Sequence, residues 1–204
     1  MSAPQLKLTY FDGAGRAEVA RLLFAFGSVN FVDERVTGEE FAALKPTLPL
    51  GQLPTLTVDG TVYSQSMAIM RYAAKMSGLF PEDPVQALRV DMISESLIEL
   101  VNAMVNILFM EKDETVKAEK TKKLVEEAIP KTFGVLESFV QGKFFLGDDK
   151  PSYADVQLFD LVENGLKARL PEASVAAFPK LEAVMENVKA NAHIAAYLAK
   201  HKKD

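Results

Sequence analysis

The sequence predicts two domains, a small α/β domain followed by an all-helical domain. In the first part of the chain, short runs rich in β-branched residues alternate with stretches of helical periodicity. After GLFPEDP (78–84), which holds two prolines, apolar residues recur at helical spacing almost throughout. A break of this kind between two periodicities indicates a domain boundary. We therefore expect an α/β domain at 1–79, a linker at 80–84 and a helical domain at 85–204.

The first three elements of the α/β domain follow from periodicity. LKLTYF (6–11) predicts a short strand. From Arg16 onward, apolar residues recur at helical spacing until Gly27 ends the helix. NFVDERV (30–36) alternates like a half-buried strand.

The rest of this domain is a hairpin followed by a helix. In PTLTVDGTVY (54–63), Asp59-Gly60 joins two β-branched runs, which is a strong hairpin signal. The next helix begins at Ser66, near the expected N-cap, and ends before Gly78. With a helical segment between the second and third strands, the predicted order is β-α-β-α-β-β-α with a mixed sheet.

The second domain is expected to be all α-helix. One long helix is predicted from about Pro84 to Met110 and another from about Glu114 to Val140, with later helices over 178–200. PSYADVQLFD (151–160) opens a third helix, for which Ser152 and Asp155 fit a structural capping box.

Composition excludes several functions. The 204 residues include no cysteine, so disulfides, thiolate metal sites and a protein thiol nucleophile are ruled out. The net charge of −5 argues against nucleic acid or an anionic membrane as the main partner. The start, MSAPQLKL, shows no secretory signal, and no apolar run has the ~20 residues that span a bilayer. A cytoplasmic protein without a metal site is expected.

The turn DGAGRAE (12–18) resembles a dinucleotide-binding loop only in part. Gly13 and Gly15 are present, but Glu18 stands where a third small residue is needed, and no second parallel β-α-β half follows. We therefore reject NAD binding.

Two further motifs allow a structural and a functional interpretation. Pro54, at the head of a strand, is more often trans, but a cis bond would turn the Leu53 backbone outward to pair with an extended peptide. The N-terminus of the helix at Ser66 is either simply capped or a site for an anion. The residues alone leave both questions open.

Taken together, these stretches resemble the cytosolic glutathione S-transferases, and the sigma-like class most closely. The resemblance rests on Tyr-Phe-Asp and Gly-Arg-Ala-Glu near the start, KPTLPLGQLPTL (45–56), SQSMAIMRY (64–72), the helical second half and Ser-x-x-Asp at 152–155. It implies a thioredoxin-like first domain, a helical second domain and a homodimer. It also implies reduced glutathione as co-substrate, with no other cofactor.

The resemblance also implies a role for each matching residue. The Tyr10 hydroxyl would donate a hydrogen bond to the glutathione sulfur, with Arg16 adding positive potential beside it. Leu53, before a cis Pro54, would pair with the cysteinyl backbone. The remaining matched contacts are Gln65 and Ser66 at the γ-glutamyl carboxylate, Lys45, Gln52 and more weakly Phe41 at the glycyl end, and Glu99 reaching across a dimer to the γ-glutamyl ammonium.

An apolar pocket beside the thiolate would take the electrophile. Its expected lining is Phe11, Val101, Met104, Val105, Leu108 and Leu198. In sigma-class members that isomerise a prostaglandin endoperoxide, a tryptophan lines this pocket. This chain has no tryptophan, and Asn106 takes that place.

The predicted function is conjugation of glutathione to small apolar electrophiles, with Tyr10 as the catalytic residue. The first alternative is a non-catalytic relative, either a lens-crystallin-like structural protein or a carrier of apolar ligands. The second is a specialised glutathione-dependent isomerase. A glutaredoxin-like oxidoreductase is disfavoured because the chain has no cysteine.

Overall fold

The computed structural model describes residues 3–201, which form two compact units. One unit runs up to Phe80 and also includes the residues from Asn191 onward, and the other is Pro81–Ala190. The expected helical domain reached the end of the chain, whereas the last described helix belongs to the first unit. Helical periodicity predicts an apolar face but does not specify the element on which that face packs.

The first unit is built on a mixed four-stranded sheet of order β2-β1-β3-β4. Strand β1 is parallel to β2 and antiparallel to β3, and β3 is antiparallel to β4. This is the predicted thioredoxin-like arrangement. The strands are β1 (Leu6–Phe11), β2 (Val32–Val36), β3 (Thr55–Val58) and β4 (Thr61–Ser64). The β3–β4 turn places Asp59 and Gly60 at positive φ, as an Asp-Gly hairpin requires.

Helices occupy the predicted places in this unit, with small shifts of their ends. A single 3₁₀ turn, Gly15–Ala17, precedes the first helix, which therefore begins at Glu18 rather than at Arg16. The helices are α1 (Glu18–Phe26), α2 (Gly38–Leu44), α3 (Ser66–Met76) and, at the end of the chain, α10 (Ala192–His201).

Helix α1 lies at the centre of the first unit. It contacts α3 and α10. Its side chains are therefore buried around most of its circumference, including those of Leu22, Leu23 and Phe24. Ile194 of α10 is also fully buried. The amphipathic last helix thus covers a face of α1 that would otherwise expose apolar surface to water.

The second unit is all-helical over its described residues. Its helices are α4 (Pro84–Val105), α5 (Glu114–Lys123), α6 (Ile129–Ser138), α7 (Tyr153–Asp160), α8 (Lys167–Arg169) and α9 (Pro179–Lys189). Three π-helical segments extend or join them, at Asn106–Met110, Leu124–Ala128 and Leu161–Leu166. The two long predicted helices are therefore continuous but not uniformly α, and the second ends at Ser138 instead of Val140.

The start of α7 is held by the predicted cap. Ser152 is the N-cap, and its N–H and hydroxyl both donate to the Asp155 carboxylate at 2.7 Å. The N–H of Phe145 donates to the other carboxylate oxygen at 2.9 Å. Ser152 and Asp155 are both fully buried, so this cap also ties the preceding loop to the helix.

Among the described residues, the helical segment Pro84–Met110 is long and apolar enough to cross a membrane by length and composition alone. One side of α4, with Val90, Ile93 and Leu97, is buried inside the helical unit. Other apolar side chains of α4, such as Leu88, are exposed. We interpret it as a core helix that also carries an exposed apolar face.

Candidate functional site

Three predicted site segments meet at one end of the sheet. Thr9 of β1 pairs with Thr55 of β3, and Thr55 pairs in turn with Ser64 of β4. The residues just beyond these pairs are Tyr10, Pro54 and Gln65. The sheet register alone therefore brings the tyrosine, the proline and the start of α3 to the same edge.

Tyr10 is held by the glycine turn that follows β1. Its hydroxyl accepts a hydrogen bond from the backbone N–H of Arg16 at 3.2 Å. Gly15 has a φ of +46°, and a Cβ there would lie 2.6 Å from the Tyr10 hydroxyl oxygen. Only a glycine leaves room for the phenol at this point. The turn therefore brings the Arg16 backbone and the Tyr10 hydroxyl together.

The bond between Leu53 and Pro54 is cis, the less frequent of the two alternatives. Pro54 is buried and Leu53 is half-buried. Within residues 3–201, the Leu53 N–H and C=O make no backbone hydrogen bond. They are available to an extended peptide ligand.

Helix α3 begins at Ser66, as the sequence predicts. Its N-cap is Gln65, with φ 78° and ψ 109°, and Ser66 is the first helical residue. The Gln65 side chain makes no capping hydrogen bond, and the first intrahelical bond runs from Ile69 N–H to the Gln65 carbonyl. The sequence places Ser66 near the N-cap, and it directly follows the N-cap residue in the structure. Because no side chain within residues 3–201 caps the first-turn N–H groups, they can meet an anion.

Lys45 and Gln52 lie on one exposed stretch near this edge. The Lys45 side chain runs past Gly51, where a Cβ would lie 3.6 Å from its Cγ. Both predicted contacts are exposed. A cation and an amide in neighbouring positions suit a carboxylate.

Phe41 joins the site through a chain of rings. It meets Phe11 edge to face at a centroid distance of 5.3 Å, and Phe11 meets Tyr10 at 5.4 Å. Contacts of this kind orient the rings as well as burying them. Helix α2 is thereby connected to the end of β1.

The positions of the remaining predicted residues in the structure do not test the roles expected of them. Glu99 is exposed on α4, and Val101, Val105 and Leu108 are half-buried. Met104 is buried, and its Cε would lie 3.5 Å from a Cβ at Gly165, so it packs in the core of the helical unit. Leu198 is half-buried on α10 in the first unit. The acceptor pocket stays a prediction.

Sequence reasoning missed Arg21. Its side chain is fully buried on α1, and its Nη1 donates to the Gly13 carbonyl at 2.6 Å and to Glu18 at 2.9 Å. Its Nε donates to Asp33 at 2.9 Å, and its guanidinium carbon lies 5.9 Å from the centre of the Tyr10 ring. The available signal was an arginine inside the apolar run VARLLF, three residues after Glu18.

Among the described residues, no group of three or more His, Asp or Glu side chains is arranged to hold a metal ion. The site is thus made of a phenol, main-chain donors and acceptors, a helix N-terminus and exposed polar side chains. These groups suit a small peptide that carries carboxylates.

A mixed four-stranded sheet with a cis-proline loop, followed by a helical unit, defines a thioredoxin-like protein with a helical second domain. Residues 6–75 match the family model for the glutathione S-transferase N-terminal domain, and residues 98–201 match that for the C-terminal domain. The chain belongs to the glutathione S-transferase family.

Similar proteins carry three different names. A glutathione S-transferase of Anopheles gambiae is 35% identical, with 97% of each chain covered. S-crystallin SL11 of Nototodarus sloanii is 33% identical, also with 97% of each chain covered. The structure of prostaglandin synthase D of Nilaparvata lugens superposes with a TM-score of 0.89 at 27% identity, covering 98% of this chain and all of the other.

Proposed function

We propose that this protein is a sigma-like glutathione transferase that adds the thiolate of glutathione to small apolar electrophiles. The hydrogen bond from the Arg16 N–H to the Tyr10 hydroxyl is the observation that carries the proposal. Because this oxygen accepts from the main chain, its own proton is left for an outside acceptor. The Leu53 backbone lies at the same edge of the sheet.

Tyr10 would act by stabilising the thiolate of bound glutathione. A free thiol has a pKa of about 8.5, so only a few per cent is ionised at neutral pH. A hydrogen bond worth about 2–3 kcal/mol to the anion lowers that pKa by roughly two units. Most of the bound thiol is then thiolate, and no metal or redox cofactor is required for the addition.

The other groups would hold the tripeptide in position. The Leu53 N–H and C=O pair with the cysteinyl backbone, and the uncapped start of α3, with Gln65 and Ser66, receives the γ-glutamyl carboxylate. Lys45 and Gln52 receive the glycyl carboxylate, with Phe41 beside them. Arg16 adds positive potential near the sulfur. A thiolate held in this way needs only an electrophile placed next to it.

Phe11, Val101, Met104, Val105, Leu108 and Leu198 are proposed to line the acceptor pocket. Phe11 has the strongest support, since its ring lies between those of Tyr10 and Phe41. Met104 has the weakest, because it is 5% exposed.

A homodimer completes the proposal. The exposed apolar side chains Val85, Leu88 and Met92 recur at helical spacing on α4, 73%, 70% and 46% exposed. A second copy of the chain would cover them. Glu99, on the same helix, would then serve the γ-glutamyl ammonium of the neighbouring site. The cytoplasm, where thiols stay reduced, suits a chain that uses reduced glutathione.

The names of two similar proteins suggest alternative functions. The S-crystallin suggests a structural role, but retention of the Tyr10 turn, the cis-proline loop and the uncapped α3 argues against loss of the glutathione site. The prostaglandin synthase suggests an isomerase, but Asn106 stands where the resemblance places a tryptophan.

The test combines turnover and binding. Conjugation of glutathione to an activated chloronitrobenzene should be clearly faster than the uncatalysed reaction, and calorimetry should show glutathione binding. Binding without turnover of this acceptor or of a prostaglandin endoperoxide would favour the carrier. Absence of both binding and turnover would overturn the proposal.

A further inference from the structure

Helix α10 is connected to the Tyr10 turn through a buried charged network. The Tyr197 hydroxyl donates to Glu18 Oε1 at 2.8 Å, although the two residues lie 179 positions apart in the chain. Glu18 Oε2 in turn accepts from Arg21 Nη1 at 2.9 Å. The carboxylate therefore bridges a phenol on the last helix and a guanidinium on the first.

Arg21 connects Glu18 to the glycine turn. The same Nη1 donates to the carbonyl of Gly13, and the guanidinium lies over the face of the Tyr10 ring. Gly13 and Tyr10 flank the point where β1 gives way to the glycine turn. Fixing the Gly13 carbonyl and the ring face therefore restrains the turn that places Arg16 N–H on the phenol oxygen.

Packing alone does not account for an arginine at this position. Burying a charge is costly unless it is paired, and well-packed apolar residues often replace buried ion pairs without loss of stability. One nitrogen, Nη2, is buried and has no hydrogen-bond partner within the described part of the chain. The groups that Arg21 does satisfy include the Gly13 carbonyl of the site itself.

The Tyr197 hydroxyl, at one end of the network, keeps its proton and so remains a hydrogen-bond donor. Burial, followed by the charge of Glu18, raises the pKa of the Tyr197 hydroxyl well above its usual range. The phenol thus stays protonated at any pH at which the protein would work. It holds Glu18 in the orientation that meets Arg21.

We infer that Tyr197, Glu18 and Arg21 form a positioning network that sets the Tyr10 hydroxyl for the glutathione sulfur. The last helix thereby contributes a positioning residue, Tyr197, to the Tyr10 turn. The inference rests on the proposed function, because it assigns these residues a role in the same reaction.

Tyr197→Phe is the first test, because it removes one hydroxyl and keeps the ring. We expect kcat to fall about 3- to 10-fold while the KM for glutathione changes by less than about twofold. The midpoint of the pH profile of kcat/KM should also move upward by about half a unit or more. Tyr153→Phe is the matched control, since its buried hydroxyl donates to Asp91 in the other unit.

A pH profile of kcat/KM for Tyr197→Phe that matches the profile for Tyr153→Phe would overturn the inference. A lower melting temperature with an unmoved midpoint would also overturn it, since that is a purely structural effect. In the double variant with Glu18→Gln, the two losses should not add, because both changes break the same chain of contacts. Additive losses would contradict the network.

Hydrogen exchange separates this inference from the proposed function. The Arg16 amide should exchange several-fold faster in Tyr197→Phe than in Tyr153→Phe, because its acceptor is less fixed. The amide of Leu8, in the middle of β1, serves as the internal control. If the wild type lacks turnover, the proposed function fails. In that case the network is tested by hydrogen exchange alone, and an unchanged exchange rate of the Arg16 amide in Tyr197→Phe would overturn it.

Discussion

At the scale of single residues, the site depends on the close contact of a glycine with a phenol. Gly15 leaves no space for a side chain next to the Tyr10 hydroxyl, and its φ is one that other residues rarely adopt. At Gly13, two positions earlier, a Cβ would meet no atom within 4 Å. The two glycines of one turn thus carry different constraints.

Gly15→Ala should therefore reduce turnover far more than Gly13→Ala. Displacing the phenol and straining the turn together should cost about 1–3 kcal/mol of transition-state stabilisation, which lowers kcat about 5- to 150-fold. Steady-state kinetics of both variants beside the wild type check this. Equal activities in the two variants would show that the contact does not matter.

The residue scale also marks the limit of sequence reading. Tyr10 and Arg16 could be proposed from the sequence because the motifs that carry the family resemblance, Tyr-Phe-Asp and Gly-Arg-Ala-Glu, are local in the chain. The contacts of Arg21 with Asp33 and of Glu18 with Tyr197 could not, because Asp33 and Tyr197 reach α1 only through the fold. Gln65 could not be recognised as the N-cap of α3, since a positive φ is rare for a residue with a side chain.

At the scale of elements, the cap of α7 is a buried charge with a definite pH dependence. Burial raises the pKa of Asp155 to about 6, against the opposing effect of the hydrogen bonds from Phe145 and Ser152. The native state thus holds this proton more tightly than the unfolded chain. The stabilisation from protonation is complete below the unfolded pKa and is lost as the pH rises through about 6.

Asp155→Asn removes this titration and should show its sign. As the pH falls from about 7.5 to about 4.5, the free energy of unfolding of the wild type should rise relative to that of the variant, by on the order of 2 kcal/mol. Urea unfolding at both pH values measures the difference. Asp83→Asn, at the exposed cap of α4, is the control and should give a smaller change.

A difference between Asp155→Asn and the wild type that grows as the pH rises would contradict the expected sign. A constant difference would mean that the carboxylate titrates alike in the folded and unfolded states.

Elements differ in how far the sequence determines them. The β3–β4 hairpin was predicted from Asp59-Gly60 because its turn chemistry is local. The long helices were predicted from periodicity, but their π-helical segments were not, since a π turn leaves no clear mark in the apolar pattern. The placement of α10 in the first unit was missed, because it depends on packing against α1.

At the scale of the whole molecule, the exposed apolar face of α4 predicts self-association. Leu88 is 70% exposed in the middle of that face, and such a face on a folded protein usually marks an interface. Sedimentation at micromolar concentration should show a dimer for the wild type and a monomer for Leu88→Glu.

The control for this prediction is Val135→Glu. Val135 is also an exposed apolar residue, at 51%, but it lies on α6. It should remain a dimer. A wild type that sediments as a monomer, or a Leu88→Glu variant that stays dimeric, would remove both the α4 interface and the role of Glu99.

The most direct measurement of the central claim is the pKa of the glutathione thiol when it is bound. Ultraviolet absorption of the thiolate, followed against pH, gives this value for the wild type and for Tyr10→Phe. The account predicts a pKa about two units below that of the free thiol for the wild type, and a value near that of the free thiol for the variant. The same pKa in both proteins would contradict the assignment of Tyr10 as the group that stabilises the thiolate.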